Sequence, residues 1–233
     1  MVKHIDFSTL MASTVHDMKN VIAAVSQAYE SLLAQMPEAL QRSPQARLIE
    51  QEALRLDAML MQLLGLYKLE HEQLLLQPVY CSVDELFEDL HNRHRDLLEY
   101  RNIDLQIELD DLDLEAYLDV SLIGTVLDNA LGNALSFCKK TIRLSAQRED
   151  DGILLCVNDD GVGYPDSLLG AVRDKASSGI DRNSGSTGLG LYFAASIIAL
   201  HDQNTRPARL ELSNNGTLPG ACMSVWLPLP SLF

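Results

Sequence analysis

The sequence is short of positive charge. Eighteen lysines and arginines stand against thirty-three aspartates and glutamates in 233 residues, a formal net charge of −15. Such a chain offers no electrostatic footprint for nucleic acid or for an anionic lipid surface, so neither is expected as a partner. A polyphosphate could bind only with the help of a cation. Long hydrophobic runs are missing too: no stretch reaches the roughly 18 apolar residues that span a bilayer. The first residues, Met1-Val2-Lys3-His4-Ile5-Asp6, lack the pattern of a secretory signal. Cysteine is sparse. Cys81, Cys138, Cys156 and Cys222 lie far apart and form no CxxC pair, which excludes a zinc knuckle and argues against a disulfide scaffold. A reducing cytoplasm is the expected location.

Glycine is absent from residues 5–75 except for Gly65, and this marks off the first of two unlike parts. Met11, Met18, Val25 and Leu32 recur every seven residues, and Val15, Ile22, Tyr29 and Met36 follow each by four. This is the stripe of a bundle helix, not of a strand. Pro37 to Pro44 break the pattern. Ser43-Pro44 reads as an N-cap followed by proline in the first turn, opening a second helix with Leu48, Leu54, Met59, Leu60, Leu63, Leu64 and Leu66 on its apolar positions. Two such helices cannot bury their stripes alone. The simplest solution is a homodimer pairing two hairpins into a four-helix bundle. We therefore expect a hairpin domain over residues 1–78 and a second domain over 79–233.

In the second part the apolar spacing predicts helices over Val83–Tyr100 and Val120–Phe137, and another running from about Gly188 to His201. It predicts strands over Ile103–Leu109, Thr141–Gln147, Ile153–Val157, Arg209–Ser213 and Met223–Leu227. The expected fold class is α+β, a sandwich with helices on one face of a sheet.

Three clusters carry chemistry. His16-Asp17-Met18-Lys19-Asn20 lies on the first helix. At about 100° per residue, His16 falls roughly 150° from the apolar stripe, with Asn20 one turn on. An imidazole facing outward is open to an electrophile, and a neighbouring carboxylate can take its proton. Asn129 and Asn133 sit four apart on one helical face, and two amide oxygens so placed suit Mg²⁺ that keeps phosphates and waters in its shell. The third cluster is glycine-rich. Asp159-Asp160-Gly161-Val162-Gly163 follows an apolar strand, and Gly185-Ser186-Thr187-Gly188-Leu189-Gly190-Leu191 opens a helix whose free N–H groups attract phosphate. Asp159 can accept a hydrogen bond from the exocyclic amine of adenine. Other nucleotide motifs fail. There is no Gly-Lys of a P-loop, and His94-Arg95-Asp96-Leu97 lacks the asparagine and the Asp-Phe-Gly of a protein-kinase catalytic loop. His91 and His94 have no third metal ligand nearby in sequence and read as a solvated face.

In this order the motifs resemble the catalytic core of a two-component sensor histidine kinase: His16-Asp17-x-x-Asn20 on a hairpin, then Asn129/Asn133, Asp159-x-Gly161-x-Gly163 and Thr187-Gly188-Leu189-Gly190-Leu191. The second part is similar to the ATP-binding fold of gyrase and the heat-shock chaperones. The resemblance implies ATP and Mg²⁺ as cofactors, and His16 as phosphoacceptor with Asp17 as its orienting base. Asn20 would position water for dephosphorylation of the partner. Asn129 and Asn133 would hold the metal. Asp159 would read adenine, with Gly161 and Gly163 shaping its pocket. Ser167–Thr187 would form a lid carrying Lys175 and Arg182, and Thr187, Gly188, Leu189 and Gly190 would border the phosphates. Asn215-Gly216 through Gly220-Ala221 resembles the family's last glycine turn. Implied partners are a second copy of the chain and the receiver domain of a response regulator; if the chain is full length, its signal is expected from a separate sensor protein or from the bundle itself.

Departures from the pattern are Ser136 where a lysine is usual, a lid without phenylalanine, and Asp17-Met18-Lys19-Asn20 in place of the commoner sequence after the histidine. The rival readings are a phosphotransfer adaptor with a non-catalytic nucleotide-binding domain, and a serine kinase that restrains a sigma factor, a family that lacks the hairpin.

Overall fold

The structure is a computed structural model that describes residues 7–41, 43–71, 74–111, 113–172, 189–203 and 206–230. It divides into two compact units, residues 1–74 and 75–233.

The first unit is built on α1 (Phe7–Leu33) and α3 (Pro44–Glu70), with the single turn α2 (Glu38–Gln41) between them. The expected start of α3 is present. Ser43 sits in extended backbone and its hydroxyl accepts the N–H of Ala46 at 3.3 Å, with Pro44 in the first turn where no N–H is needed. The two long helices pack side by side. The heptad positions of α1 separate into two rows. Val15 is buried and Ile22, Tyr29 and Met36 are half-buried, so this row faces α3. Met18, Val21, Val25 and Leu32 are each at least half exposed. On α3, Ile49, Leu56 and Leu63 form an exposed row at seven-residue spacing. One hairpin thus leaves an apolar row on each of its long helices exposed.

The second unit starts with β1 (Val79–Ser82), which runs into α4 (Val83–Arg101). Ser82 ends the strand and caps the helix, its hydroxyl accepting the N–H of Glu85 at 3.3 Å. Asn102 closes α4 in the left-handed region at φ 52°. There follow β2 (Asp104–Leu109), β3 (Glu115–Leu118), α5 (Val120–Phe137), β4 (Thr141–Glu149), β5 (Gly152–Asp159), a 3₁₀ turn at Asp166–Leu168 and β6 (Gly170–Ala171). The chain closes with α6 (Leu189–Leu200), β7 (Arg209–Ser213) and β8 (Cys222–Pro228). β1 and β3 pair with each other. The other six strands form one sheet in the order β2-β4-β5-β8-β7-β6, antiparallel except for the parallel β2–β4 pair.

Register fixes which side chains face the helices. Leu144 and Ala146 of β4 lie level with Val157 and Leu155 of β5; Ile153, Leu155 and Val157 lie level with Leu227, Val225 and Met223 of β8, and the last two with Leu210 and Leu212 of β7, while Ile142 stands opposite Asp159 on the same face. All are buried. α4, α5 and α6 pack on this face, α5 contributing Ile123, Val126, Leu127, Ala130, Leu131, Ala134 and Leu135. Truncating one such side chain, Leu131 for example, costs about 2–5 kcal/mol. The opposite face carries Gln106, Arg143, Ser145, Ser224 and Glu211. There Trp226 lies under the Arg209 guanidinium and donates its indole N–H to the Glu149 carbonyl. The expected α+β sandwich is therefore the fold of this unit. Three of its strands, β1, β3 and β6, were not foreseen, and β6 falls within the segment read as a loop.

Candidate functional site

α5 is the spine of the site. Asp119 starts it, one carboxylate oxygen accepting the N–H of Leu122 at 3.1 Å and the other the N–H of Gln77 at 3.0 Å. The Asp119 N–H donates to His201 Nε2 at 3.1 Å, and His201 Nδ1 lies 3.0 Å from the carbonyl of Ile197. That pairing requires a neutral ring with its proton on Nδ1. Burial lowers the His201 pKa and so favours the neutral ring.

Asn129, Asn133 and Phe137 follow one another at four-residue spacing on one face of α5. Asn129 is half-buried against the first turn of α6, where a Cβ on Gly190 would lie 2.5 Å from its amide nitrogen. Asn133 and Phe137 are exposed. At the far end of α5 a Cβ on Gly161 would lie 2.4 Å from the carbonyl oxygen of Phe137. The helix therefore touches both glycine segments, Asp159–Gly163 near its last turn and the start of α6 near its middle. At Gly161 only a residue without a side chain allows the approach, because backbone blocks a Cβ there; at Gly190 a Cβ would displace the Asn129 amide.

Asp159 ends β5. Its Oδ1 accepts the N–H of Gly161 at 2.7 Å and the N–H of Ala221 at 3.3 Å, and among the described residues its Oδ2 has no hydrogen-bond partner. Burial raises its pKa, and the two N–H groups partly offset that. Asp160 has a different task. Burial works against its charge, but the N–H groups of Lys140 and Lys139 outweigh it and lower its pKa, tying the end of α5 to the end of β5. Gly163 takes φ +81°, and a Cβ there would run into Asn214, whose amide clasps the backbone of Tyr164 through both its oxygen and its nitrogen.

The remaining candidates fall out as follows. Asp159, Gly161 and Gly163 lie at the end of β5, where Gly161 meets the last turn of α5; Gly190 meets Asn129 nearer the middle of that helix, and Asn133 is exposed one turn on. Thr187, Gly188, Lys175 and Arg182 lie outside the described residues, as do residues 173–187 of the expected lid Ser167–Thr187; its start instead forms the 3₁₀ turn and β6, which pairs with β7, and nothing is described of the Leu189 side chain. In the first unit His16 lies within α1, its side chain outside the description, with Asp17 and Asn20 exposed beside it. His94 corrects the reading of a solvated face. Its Nε2 lies 3.0 Å from Asp128 Oδ1 and joins α4 to α5. Burial would raise the Asp128 pKa, but the His94 hydrogen bond and the charges of His94 and Arg93 lower it.

No group of three or more histidines, cysteines, aspartates or glutamates able to hold a metal occurs among the described residues. The Asn129 amide, held against the start of a helix, instead fits an ion that arrives with most of its oxygen ligands already supplied by phosphate and water. Two surface depressions lie elsewhere, one beside Trp226 and one between α4 and β2, and neither includes Asn129, Asn133 or Asp159.

Comparison with known proteins bears on this geometry. Residues 118–231 match the family of histidine kinase-, DNA gyrase B- and HSP90-like ATPases. The alginate biosynthesis sensor protein KinB of Pseudomonas aeruginosa is 30% identical over 191 residues, covering 80% of this chain and 32% of KinB. The sensor-like histidine kinase SenX3 of Mycobacterium tuberculosis is 28% identical, covering 95% of this chain and 53% of SenX3. Over most of its length the chain is thus similar to sensor histidine kinases, and its second unit carries the ATPase-family match. It spans about a third to a half of the length of these two curated relatives. Its fold is shared with the Acinetobacter baumannii histidine kinase AdeS, at TM-score 0.61 and 16% identity over 93% of this chain and 98% of that one. It is also shared with ShkA, at TM-score 0.65 and 17% identity over 95% of this chain and 45% of that one. Among the described residues, no helix is long and apolar enough to cross a membrane.

Sequence reasoning missed Asn158, Asn214 and Asp119, which hold the site from behind. Asn158 could have been noticed as a polar residue at the end of an otherwise apolar strand. The other two carried no signal beyond ordinary turn and cap chemistry.

Proposed function

We propose that this chain is an ATP-dependent protein-histidine kinase. It phosphorylates His16 of its own hairpin and passes the phosphoryl group to an aspartate on the receiver domain of a response regulator. The observation that carries this reading is the convergence of Asn129, Asp159 and Gly190 around α5. A Cβ on Gly161 would run into the Phe137 backbone, and one on Gly190 would push the Asn129 side chain from its place. A phosphotransfer adaptor with a dead nucleotide domain has no need of these glycines. The structure of ShkA is of a complex with AMPPNP, and the match of residues 118–231 to an ATPase family points the same way.

In this reading Asp159 accepts the adenine amine and so prefers adenine to guanine. Gly161 and Gly163 let backbone close over the base. Asn129 and Asn133 offer amide oxygens to Mg²⁺, which when bound supplies positive charge against the phosphate oxygens. The N–H groups at the start of α6, with Thr187, Gly188 and Leu189 before Gly190, face the phosphates. The His16 nitrogen attacks the γ-phosphorus as the bond from that phosphorus to the β,γ-bridging oxygen breaks and ADP leaves, and Asp17 orients the ring and receives its proton. Asn20, one turn away, positions water when the phosphorylated regulator is hydrolysed. The exposed apolar rows of α1 and α3 pair with those of a second copy, giving a dimeric four-helix bundle over residues 1–78 that is served by the ATP-binding domain over 79–233. The low positive charge and the scarce cysteines fit a cytoplasmic location.

The test is incubation of the chain with γ-labelled ATP. Label that is lost in acid and survives alkali is phosphohistidine. His16→Ala is expected to remove it while ADP affinity stays within about twofold, because the nucleotide contacts lie in the second unit. Label that persists in His16→Ala, or that survives acid, overturns the assignment.

A further inference from the structure

The turn over residues 214–221 is folded around one buried amide. Asn158, the penultimate residue of β5, is 2% exposed. Its Oδ1 accepts the N–H of Leu218 at 2.6 Å and the hydroxyl of Thr217 at 3.0 Å. Its Nδ2 donates to the carbonyl of Ala221 at 2.8 Å, with longer contacts to the carbonyls of Asp159 and Leu218. Gly216 passes so close that a Cβ would lie 2.4 Å from the Asn158 oxygen. Few side chains could take this place. A buried polar group must be satisfied, and here one oxygen and one nitrogen are both used. Aspartate would offer no donor to Ala221 and would set a second carboxylate beside Asp159. Leucine would fill the space and leave the Leu218 N–H and the Thr217 hydroxyl without this acceptor.

What Asn158 holds on one side serves Asp159 on the other. The carbonyl of Ala221 takes the Asn158 amide and also the backbone N–H of Asp159 at 2.9 Å, while the Ala221 N–H is one of the two donors on Asp159 Oδ1. Gly220 is pressed against the same carboxylate, with a Cβ position 2.5 Å from Oδ1. Because Oδ1 is committed to Gly161 and Ala221, the direction in which Oδ2 points depends on where the Ala221 peptide is held.

We propose that Asn158 is a positioning residue for base selection: by anchoring the 217–221 peptides it sets the aim of Asp159 on the exocyclic amine of a purine. The inference rests on the reading of the site as an adenine-nucleotide site and adds a residue to it. Asn158 touches no nucleotide itself, so its effect is transmitted through Ala221.

The test compares Mg²⁺-ADP with Mg²⁺-IDP, which carries an oxygen in place of the amine, on the full chain. In the wild type ADP binds at least about tenfold more tightly, the worth of one hydrogen bond to a charged group. In Asn158→Leu the ADP advantage falls toward unity, with IDP affinity changed by less than about twofold. The Leu218 and Ala221 amides then exchange with solvent at least about tenfold faster. Asn158→Ser, a smaller perturbation in case the leucine variant fails to fold, lowers the ratio to an intermediate value. Thr217→Val removes a single contact and keeps the ratio within about threefold. An equal loss of ADP and IDP affinity in a folded Asn158 variant marks a merely structural anchor and overturns the proposal, as does an unchanged ratio. A wild-type chain that binds both nucleotides equally overturns the adenine reading itself. That result is distinct from a selective wild type whose selectivity survives both Asn158 variants.

Discussion

Asp159 sets binding against stability within a single side chain. Burial raises its pKa, so the folded state holds the proton more tightly than the unfolded chain does. The stability this gives is complete at low pH and is lost as pH climbs through the raised value. At neutral pH the ionised carboxylate is therefore a cost to the fold, retained in our reading because adenine needs an acceptor there. Asp159→Asn keeps an oxygen for Gly161 and Ala221 and removes the charge. At pH 7 it is expected to melt at the wild-type temperature or several degrees higher, on the order of 4 °C per kcal/mol for a unit of this size. The gain should shrink toward pH 4, and ADP affinity should drop about tenfold or more. Melting curves at both pH values with an ADP titration check this. A variant that melts lower at pH 7 would mean that the charged form is stabilised by something the hydrogen bonds to Gly161 and Ala221 do not account for.

Among the elements, α5 decides most, and it was also the most legible. Its limits, Val120–Phe137, could be read from apolar spacing because eighteen residues give that pattern room to declare itself. β1 and β3 have four residues each, too few for alternation to stand out, and their pairing joins residues 79–82 to 115–118, a contact that no local pattern encodes. The candidate site divides along the same line. The asparagines of α5 and the glycines were visible as spaced motifs, whereas Asn158, Asn214 and the His94–Asp128 pair act across 34–63 residues of sequence and emerge only from packing.

The meeting of α5 with α6 yields a further prediction. Gly190 lies in the first turn of α6, where alanine would be the better helix former by about 1 kcal/mol. An alanine Cβ there would sit 2.5 Å from Asn129 Nδ2, the end of a side chain that can swing aside. Gly190→Ala is thus expected to leave the melting temperature within about 3 °C of wild type, or to raise it, while weakening Mg²⁺-ADP binding about tenfold by turning Asn129 from its place. Magnesium-free ADP should be affected much less. Calorimetric titrations with and without Mg²⁺ separate the two, and an equal loss in both would locate the damage at the base or the phosphates instead.

For the whole molecule the open question is what covers the hairpin. α1 and α3 face each other through Val15, Ile22, Tyr29 and Leu66, yet Val21 and Val25 stay 62% and 59% exposed, and Ile49 and Leu56 are each about half exposed. Exposed apolar rows at heptad spacing on two neighbouring helices are the surface that a second identical hairpin buries in a four-helix bundle. Charge opposes the pairing, since each copy carries −15. Association should accordingly tighten from about 20 to 300 mM salt, as screening removes the repulsion while apolar burial persists. A double variant, Val21→Glu with Val25→Glu, would force four unpaired carboxylates into the joint of a dimer at a cost of several kcal/mol each. It is expected to sediment as a monomer at concentrations of about 10 μM where the wild type is dimeric. Its melting of the second unit and its ADP affinity should be unchanged, because both reside in residues 75–233. Label on His16 should fall sharply even so if phosphoryl transfer runs between the two copies, and should persist if it runs within one. Mixing Val21→Glu/Val25→Glu chains with His16→Ala chains cannot restore it, since the first cannot pair. A wild type that remains monomeric from about 1 to 100 μM at every salt concentration would leave the exposed rows to another partner and remove the dimer from the mechanism.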